Sequence, residues 1–227
     1  MTRKQVEAFK QGEGDNWFAR NRAYLESAGE TFDVAYIART LETHRGGINR
    51  IVEVGSGNGL KLETLCKFFD ADGLGIEPSP EAVAAGNARV GEGARMRLTV
   101  GTADELPADE QSVDLLFFGF CLCWVDRSDL FRAVAEADRV LRPGGFLVIL
   151  DFDAAHPHRR PYHHHEGVFS YKQDHSTIFL ASGLYSLAGK TSQSHGSAGF
   201  AEDSDERIAV SILYKERSPL PDHVPVE

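Results

Sequence analysis

A glycine-rich turn that follows a short apolar run constrains the fold of this chain more than any other stretch. Residues 51–54 (Ile-Val-Glu-Val) have the β-branched composition of a strand covered on both faces. Glycines at 55, 57 and 59 follow at once, where they permit a sharp turn and the close approach of a ligand. A helix predicted from Leu60 to Phe69 would point its free N–H groups at that ligand. The stretch therefore predicts a strand, a turn and a helix that bind a nucleotide-like group.

An acidic residue at the end of the next apolar segment strengthens this interpretation. Residues 73–77 read as a second strand that ends in Glu77, which lies 22 positions after Gly55. That distance is close to the roughly 20-residue spacing of a carboxylate that binds ribose hydroxyls. A plain turn followed by a solvated glutamate is the weaker alternative. The sequence thus predicts that Gly55 and Glu77 share one ligand.

Length, charge and cysteine content exclude several function classes. The 227 residues suit one α/β domain with a short appendage, and a formal net charge of −10 argues against a nucleic-acid partner. No apolar run is long enough to span a bilayer and no signal peptide is recognised, so we expect a cytoplasmic protein without a membrane partner. The three cysteines form neither a disulfide framework nor a zinc pattern, and no metal site is predicted.

Strand and helix patterns alternate regularly as far as residue 150. Further strands are predicted at 96–100, 113–118 and 146–150, separated by helices at 80–90 and 130–141. This alternation predicts a parallel α/β sheet with right-handed crossovers and helices on both faces. Ligands of such sheets lie beyond the carboxyl ends of the strands. The residues predicted to meet there are Gly55, Glu77, Thr102 to Asp104 and Phe118 to Phe120.

The segments that flank this alternating region are predicted to be less regular. Residues 1–45 form an N-terminal helical lid or appendage, 46–216 the main domain and 217–227 a flexible tail. Within the lid, 9–15 is predicted as a loop, Asn16 as the cap of a helix, and 34–41 as a second helix. Residues 153–175 read as a polar loop that lines the acceptor pocket. Packing of the pair Trp17–Phe18 into the core is favoured over contact with a ligand.

The motifs distinguish between two cofactors. A dinucleotide fingerprint requires a third glycine at position 60, which is Leu60, and a reductase-type Tyr followed by Lys four residues later is absent. The form G-x-G-x-G resembles the first motif of class I S-adenosylmethionine (SAM) methyltransferases. Segments 113–119 and 139–145 resemble later motifs of the same family, and the resemblance extends over roughly residues 50–215. It implies a Rossmann-like, seven-stranded, mostly parallel sheet that ends in a C-terminal antiparallel hairpin.

The resemblance also implies which residues hold the cofactor, with S-adenosylhomocysteine (SAH) as its product. Glu77 would bind both ribose hydroxyls and Asp104 the adenine amino group, while Arg20 on the lid is a candidate partner of the SAM carboxylate. The full predicted set is Arg20, Glu53, Gly55, Ser56, Gly57, Asn58, Gly59, Glu77, Pro78, Thr102, Ala103, Asp104, Phe118, Gly119 and Phe120.

A general base is harder to place. Many relatives carry a His before the Trp of the segment 122–126, and here Cys123 occupies that position, where a buried structural thiol is favoured over a nucleophile. Solvated histidines are the favoured alternative to a catalytic role, and a metal site that includes His156 and His158 is a minor one. The candidate bases are His163, His164, His165 and His175, with Asp151 or Asp153 as weaker choices.

The predicted function is SAM-dependent methyl transfer to a small molecule. Segments 13–21 and 163–179 are similar to a bacterial subgroup associated with surface-carbohydrate biosynthesis, which suggests a sugar or a surface-carbohydrate precursor as acceptor. The alternatives are a SAM-binding module without catalytic activity and, less favoured, a NAD(P)-dependent oxidoreductase. Assembly as a homodimer is left open.

Overall fold

The computed structural model describes residues 4–27 and 31–217, and its centre is a seven-stranded sheet. The strand order is β3-β2-β1-β4-β5-β9-β8, in which β9 runs in the direction opposite to the other six strands. A separate two-stranded sheet pairs β6 with β7. The strands are β1 (Arg50–Val54), β2 (Asp72–Glu77), β3 (Met96–Val100), β4 (Val113–Gly119), β5 (Leu141–Phe152), β6 (His158–Pro161), β7 (Phe169–Lys172), β8 (Tyr185–Ser194) and β9 (Arg207–Lys215).

Helices connect the strands and cover both faces of the sheet. Short 3-10 segments lie at Glu42–Gly47, Leu122–Trp124 and Ser204–Glu206, and a π-helical turn lies at Phe9–Glu13. Among the described residues, no helix has the length and apolar character needed to cross a bilayer. The α-helices are α1 (Lys4–Ala8), α2 (Gly14–Ser27), α3 (Phe32–Thr40), α4 (Leu60–Phe69), α5 (Pro80–Val90), α6 (Arg127–Val140) and α7 (Ser176–Leu180).

The apolar residues of the central strands divide between two cores. In β4, Leu115 and Phe117 face one core, which α3 and α4 cover with Ile37 and Leu65. Leu116 and Phe118 face the other core, which α6 covers with residues such as Ala137. Because successive side chains of a strand point to opposite faces, a strand buried on both sides is apolar, as this one is apart from Asp114. The predicted Rossmann-like α/β sheet with helices on both faces and a C-terminal antiparallel hairpin is confirmed.

The connectivity of the sheet reverses between β1 and β4. From β1 the chain passes outward through β2 to β3, and then returns to β4 on the other side of β1. Val54, at the carboxyl end of β1, pairs with Ile76 on one side and with Phe118 on the other. A doubly wound sheet binds its ligands at such a point, since the loops on either side of it diverge. The topology therefore places the ligand site directly above the glycine turn.

Two predictions about the N-terminal segment are wrong. Residues 9–15, predicted as a loop, are helical: the π-helical turn ends at Glu13 and α2 begins at Gly14. Asn16, predicted as a helix cap, lies inside α2. The glycine at position 12, with φ of +132°, interrupts the helical dihedral angles only locally. Glycine is able to adopt such an angle without a Cβ clash, so the polar, glycine-bearing composition concealed a nearly continuous helical segment.

The predicted loop at 153–175 is also partly ordered. Its middle folds into the β6–β7 hairpin, with His158 paired to Lys172 and Pro161 to Phe169. All four residues of β6 are exposed, so the strand has no apolar alternation by which it is recognisable. Strand β5 begins at Leu141, five residues earlier than predicted. Of the predicted tail, residues 218–227 lie outside the described residues, as do residues 1–3 and 28–30 of the predicted lid.

A buried glutamine connects the N-terminal segment to the rest of the molecule. Gln5 is 1% exposed, and its amide joins two other segments of the chain. Its Nε2 donates to the carbonyl oxygen of Trp124 at 2.6 Å, and its Oε1 accepts from the N–H of Phe169 at 2.7 Å. Its backbone N–H also donates to Oδ2 of Asp126 at 2.9 Å. The segment 4–27 is therefore attached to the loop after β4 and to the β6–β7 hairpin through one side chain.

We expect Gln5→Ala to lower the free energy of unfolding by about 2 kcal/mol, because it leaves two backbone groups without partners. Trypsin should then cleave faster at Arg20 and Arg22. Denaturant unfolding and limited proteolysis measure the two effects. Gln11→Ala is the matched control, since Gln11 is exposed on the same segment, and it should change stability by less than about 0.5 kcal/mol. Equal effects of the two substitutions would contradict the role of Gln5.

Candidate active site

A cleft opens at the carboxyl ends of β1, β2 and β4. The N-terminal segment closes the cleft on the side away from the sheet. The residues that line the cleft come from the N-terminal segment, from the ends of β1, β2 and β4 and from the loops that follow β2, β3 and β4. They are Val6, Phe9, Gly14, Trp17, Val54, Gly55, Ile76, Glu77, Pro78, Gly101, Thr102, Ala103, Asp104, Gly119, Phe120, Cys121, Trp124 and Val125.

The glycine turn forms the floor of this cleft. Gly55 has φ of +78°, and a Cβ placed on it would lie 2.8 Å from the carbonyl oxygen of Gly119. Its N–H donates to the carbonyl oxygen of Ile76 at 2.8 Å, which joins β1 to β2 at the base of the cleft. A side chain would be strained by the dihedral angle and would also collide with β4. The predicted role of Gly55 as a point of close approach thus has a steric basis.

Glu77 stands at one side of the turn and is almost fully buried, at 7% exposure. Its Oε2 accepts from the N–H of Gly57 at 2.9 Å, and its Oε1 accepts from the N–H of Ser79 at 3.1 Å. Burial raises the pKa of this carboxyl to about 7, because removal from water penalises the charge more than the two N–H groups favour it. The carboxylate is therefore oriented, and it holds unused acceptor capacity in the cleft.

Glu53 lies behind the turn rather than in the cleft. It is 1% exposed, and its Oε2 has no hydrogen-bond partner among the described residues. Burial raises the pKa of its carboxyl to about 8, against the opposing effect of Lys61, which itself pairs with Asp33 at 2.7 Å. Ser56 and Asn58 are buried as well. These predicted cofactor residues shape the turn from behind and do not line the cleft.

The loop after β3 forms a second wall. Thr102, Ala103 and Asp104 all line the cleft, as predicted from the sequence, and Asp104 is 7% exposed. The N–H of Gly101 donates to the carbonyl oxygen of Glu77 at 3.1 Å, so the loop is tied to the end of β2. Two buried carboxylates, those of Glu77 and Asp104, thereby lie in the same cleft.

The end of β4 separates core residues from cleft residues. Phe118 is fully buried in the core covered by α6, whereas Gly119 and Phe120 line the cleft. Phe120 adopts a left-handed backbone conformation, with φ of +49°, and its ring lies 6.0 Å from that of Phe152 and 5.7 Å from that of His195. A non-glycine residue in this conformation is often held at a functional site by its surroundings.

Sequence reasoning missed several residues of the cleft. Val6 and Phe9 come from the N-terminal segment, and Cys121, Trp124 and Val125 come from the loop after β4. Trp17, for which core packing was favoured, lines the cleft, whereas its neighbour Phe18 is 2% exposed in the interior. The only signal for these positions was the general expectation of a lid, which does not identify its inward-facing side chains.

Arg20, the predicted partner of the SAM carboxylate, does not line the cleft. Its Nη2 donates to Oε1 of Glu13 at 2.5 Å and to the hydroxyl of Tyr162 at 2.6 Å. The Tyr162 hydroxyl in turn donates to Oε1 of Glu13 at 3.0 Å. This three-residue cluster attaches the β6–β7 hairpin to the N-terminal segment, and it occupies the guanidinium group.

The structure divides the four candidate histidines into two groups. His163, His164 and His165 are exposed at the turn of the β6–β7 hairpin, beside Tyr162. His175 is 1% exposed, and its Nδ1 lies 3.7 Å from Oδ2 of Asp151. Burial lowers the pKa of His175 and raises that of Asp151.

None of the four histidines lines the cleft among the described residues, so a base would have to reach it through movement of the hairpin. Cys123 is fully buried, and its N–H donates to Oδ2 of Asp151 at 2.9 Å. Asp153, the weaker candidate, pairs with Lys190 at 2.7 Å. Within the described ranges, no group of three or more His, Cys, Asp or Glu side chains is placed to hold a metal ion.

Comparison with known proteins identifies a family domain in the centre of the chain. Residues 52–149 match a family model described as a methyltransferase domain. An uncharacterized methyltransferase of Mycobacterium tuberculosis is 36% identical over 98 residues, which cover 43% of this chain and 37% of that protein. A ubiquinone/menaquinone biosynthesis C-methyltransferase of Rubrivivax gelatinosus is 34% identical over 113 residues, which cover 50% and 43%. The chain thus matches less than half the length of these curated relatives.

A solved structure extends the similarity of fold to nearly the whole chain. The 1,6-didemethyltoxoflavin-N1-methyltransferase of Burkholderia thailandensis, solved with 1,6-didemethyltoxoflavin and SAH, superposes with a TM-score of 0.72. The superposition covers 95% of this chain and 91% of that protein, at 15% sequence identity. At this identity the likeness establishes a shared fold, which includes the N-terminal segment and the final strands.

We expect Gly55→Ala to destabilise the protein by about 2 kcal/mol, because a left-handed alanine costs about 1 to 2 kcal/mol before the clash with Gly119 is counted. Thermal unfolding measures this loss. Gly46→Ala is the control, since a Cβ at Gly46 meets nothing within 4 Å. A Gly55→Ala protein as stable as the Gly46→Ala protein would contradict the close-approach role.

Proposed function

We propose that this chain, whose residues 52–149 match the methyltransferase domain model, transfers a methyl group from SAM to a small-molecule acceptor. The observation that carries the proposal is the pairing of Glu77 with the glycine turn. A buried carboxylate with spare acceptor capacity faces a floor on which no side chain fits. That combination suits a ribose and the chain attached to it, and it occurs inside the matched domain.

The residues of the cleft fit SAM as a bound group. Glu77 would accept hydrogen bonds from both ribose hydroxyls, while Thr102, Ala103 and Asp104 would surround the adenine. The methionine portion would lie along the backbone of Gly55 and Gly119, both of which line the cleft. Bound SAM supplies an electrophilic methyl group on a positively charged sulfur, and the carboxylates of Glu77 and Asp104 favour a cation in their neighbourhood.

The chain itself contributes positioning and exclusion of water. The N-terminal segment covers the cleft with Val6, Phe9 and Trp17. Holding two reactants in contact within a closed apolar site supplies a large part of the acceleration of a bimolecular transfer. A base is needed only when the accepting atom carries a proton that must leave, and the hairpin histidines are its candidates.

Small-molecule acceptors are supported by the activities after which similar proteins are named. One relative is named for quinone biosynthesis, and the solved neighbour holds 1,6-didemethyltoxoflavin. The sugar acceptor suggested by segments 13–21 and 163–179 is a more specific proposal, and no contact in the cleft favours it.

A SAM-binding module without methyl transfer would share this cleft, and detection of a methylated product excludes that alternative. Binding of NADH without SAM would favour the oxidoreductase. The cytoplasmic location, the homodimer and the domain limits stay predictions.

We expect Glu77→Gln to weaken SAH binding at least about tenfold, because the neutral amide presents a donor to one ribose hydroxyl. In the unaltered protein, affinity should rise from about pH 5.5 to about pH 7.5 as the carboxyl, with its pKa raised to about 7, ionises. The substitution should remove that rise. Calorimetry over this pH range measures both effects. Glu81→Gln, at an exposed position on α5, is the control and should change neither.

Alanine substitution tests the candidate bases against any acceptor that a methylation screen identifies. We expect one of His163→Ala, His164→Ala and His165→Ala to lower turnover at least about tenfold, since general-base catalysis contributes about 100-fold or more. His175→Ala should mainly lower stability, because this side chain is buried beside Asp151. If all three hairpin variants retain turnover within about threefold, the base hypothesis fails.

A further inference from the structure

We propose that the acceptor is an uncharged aromatic ring, bound against an aromatic wall in the half of the cleft that the cofactor leaves free. The rings of Phe9 and Trp124 form this wall, and the side chains of Val6 and Val125 complete it. We call these four residues, all of which line the cleft, the aromatic wall. The inference rests on the proposed function, because that function places SAM in the other half of the cleft, beside Glu77 and Asp104. It is independent of which atom of the acceptor receives the methyl group.

The two rings of the aromatic wall form an angled surface. The centroids of Phe9 and Trp124 lie 5.7 Å apart, and their planes are inclined by 55°. Flat rings pair favourably with such surfaces through offset or edge-to-face contacts, which add to the gain from the area that they bury. The two rings come from segments that are far apart in the chain, so the surface exists only when the N-terminal segment is docked.

Trp124 is held in place before any ligand arrives. Its carbonyl oxygen accepts from Gln5, and its ring lies 4.9 Å from that of Tyr162 in an edge-to-face contact. Tyr162 is fixed in turn by Glu13 and Arg20. A ring that binds to a wall already ordered in this way loses less free energy to the immobilisation of side chains.

The charges of the cleft disfavour an anionic acceptor. Among the described residues, its lining includes the carboxylates of Glu77 and Asp104 and neither lysine nor arginine. The nearby guanidinium of Arg20 is engaged by Glu13 at 2.5 Å. A phosphate group, such as that of a nucleotide sugar, would be buried near two carboxylates without a countercharge, which is strongly unfavourable.

The scarcity of hydrogen-bonding side chains disfavours a neutral sugar. Valine and phenylalanine side chains have no polar atoms, and the indole N–H of Trp124 is a single donor. The adjacent Cys121 thiol is only a weak donor, and burial raises its pKa far above the usual range. Each sugar hydroxyl that is left unpaired on burial carries a desolvation cost that weakens binding. An aromatic ring with one accepting atom avoids most of that cost.

Binding of three probes to SAH-saturated protein tests the proposal. Naphthol represents an uncharged aromatic acceptor, methyl glucoside a neutral sugar and UDP-glucose an anionic one. We expect naphthol to bind more tightly than either sugar. Trp124→Ala should weaken naphthol binding at least about tenfold, and Trp124→Phe should restore it to within about threefold. Phe131→Ala removes an exposed ring from α6 and serves as the matched control, with naphthol binding unchanged.

Measurement of SAH binding in every variant separates the two proposals. Failure of the unaltered protein to bind SAH overturns the proposed function, whatever the probes do. Tighter binding of either sugar than of naphthol overturns the aromatic acceptor alone. Unchanged naphthol binding in Trp124→Ala also overturns the aromatic acceptor. An equal loss of affinity for SAH and for naphthol in that variant overturns it as well, because it would assign Trp124 to the cofactor. Phe9→Leu repeats the test from the other side of the wall if Trp124→Ala does not fold.

Discussion

The carboxylate of Glu77 is the point on which the geometry of the site depends. It accepts from the N–H of Gly57 in the turn after β1 and from the N–H of Ser79 at the start of α5. One side chain thus fixes the distance between the turn after β1 and the start of α5, and it lies beside the point between β1 and β4 where the sheet reverses its connectivity. Burial of a charge without these two donors would be costly, so the turn and the carboxylate stabilise each other.

The closure of the cleft depends on a different kind of contact. Gln5, Glu13 and Asp15 lie within eleven residues of one another and reach three separate parts of the domain. Gln5 bonds to the loop after β4, Glu13 to the hairpin through Tyr162, and Asp15 to Ser79 beside Glu77. Each side chain is polar, yet Gln5 and Glu13 are buried, at 1% and 3% exposure. Buried polar groups that are fully paired give a segment one defined position, which an apolar contact alone would not.

The sheet and the cofactor side of the site were predictable because their signals are local. Gly55 and Glu77 reveal their roles through spacing, and apolar runs such as 113–118 reveal buried strands. The lid was predicted as a segment, but Phe9 and Trp124 were not recognised as neighbours, since nothing in the sequence links positions so far apart. The β6–β7 hairpin was missed because β6 is exposed throughout and has no period-two pattern. The contact of Arg20 with a buried Glu13 seven residues earlier was not predicted, and its role toward the SAM carboxylate stays a prediction.

The origin of the aromatic wall in the chain has a consequence for how this protein can diversify. Val6 and Phe9, together with Tyr162 behind Trp124, lie outside residues 52–149, which match the family domain. Trp124 and Val125 complete the aromatic wall from inside the matched domain. Under the proposed function, substitutions at Val6 and Phe9 would alter selectivity for the acceptor without touching the residues assigned to the methyl donor. The buried Gln5 and Glu13 of the same segment have to be kept, because they fix its position on the domain.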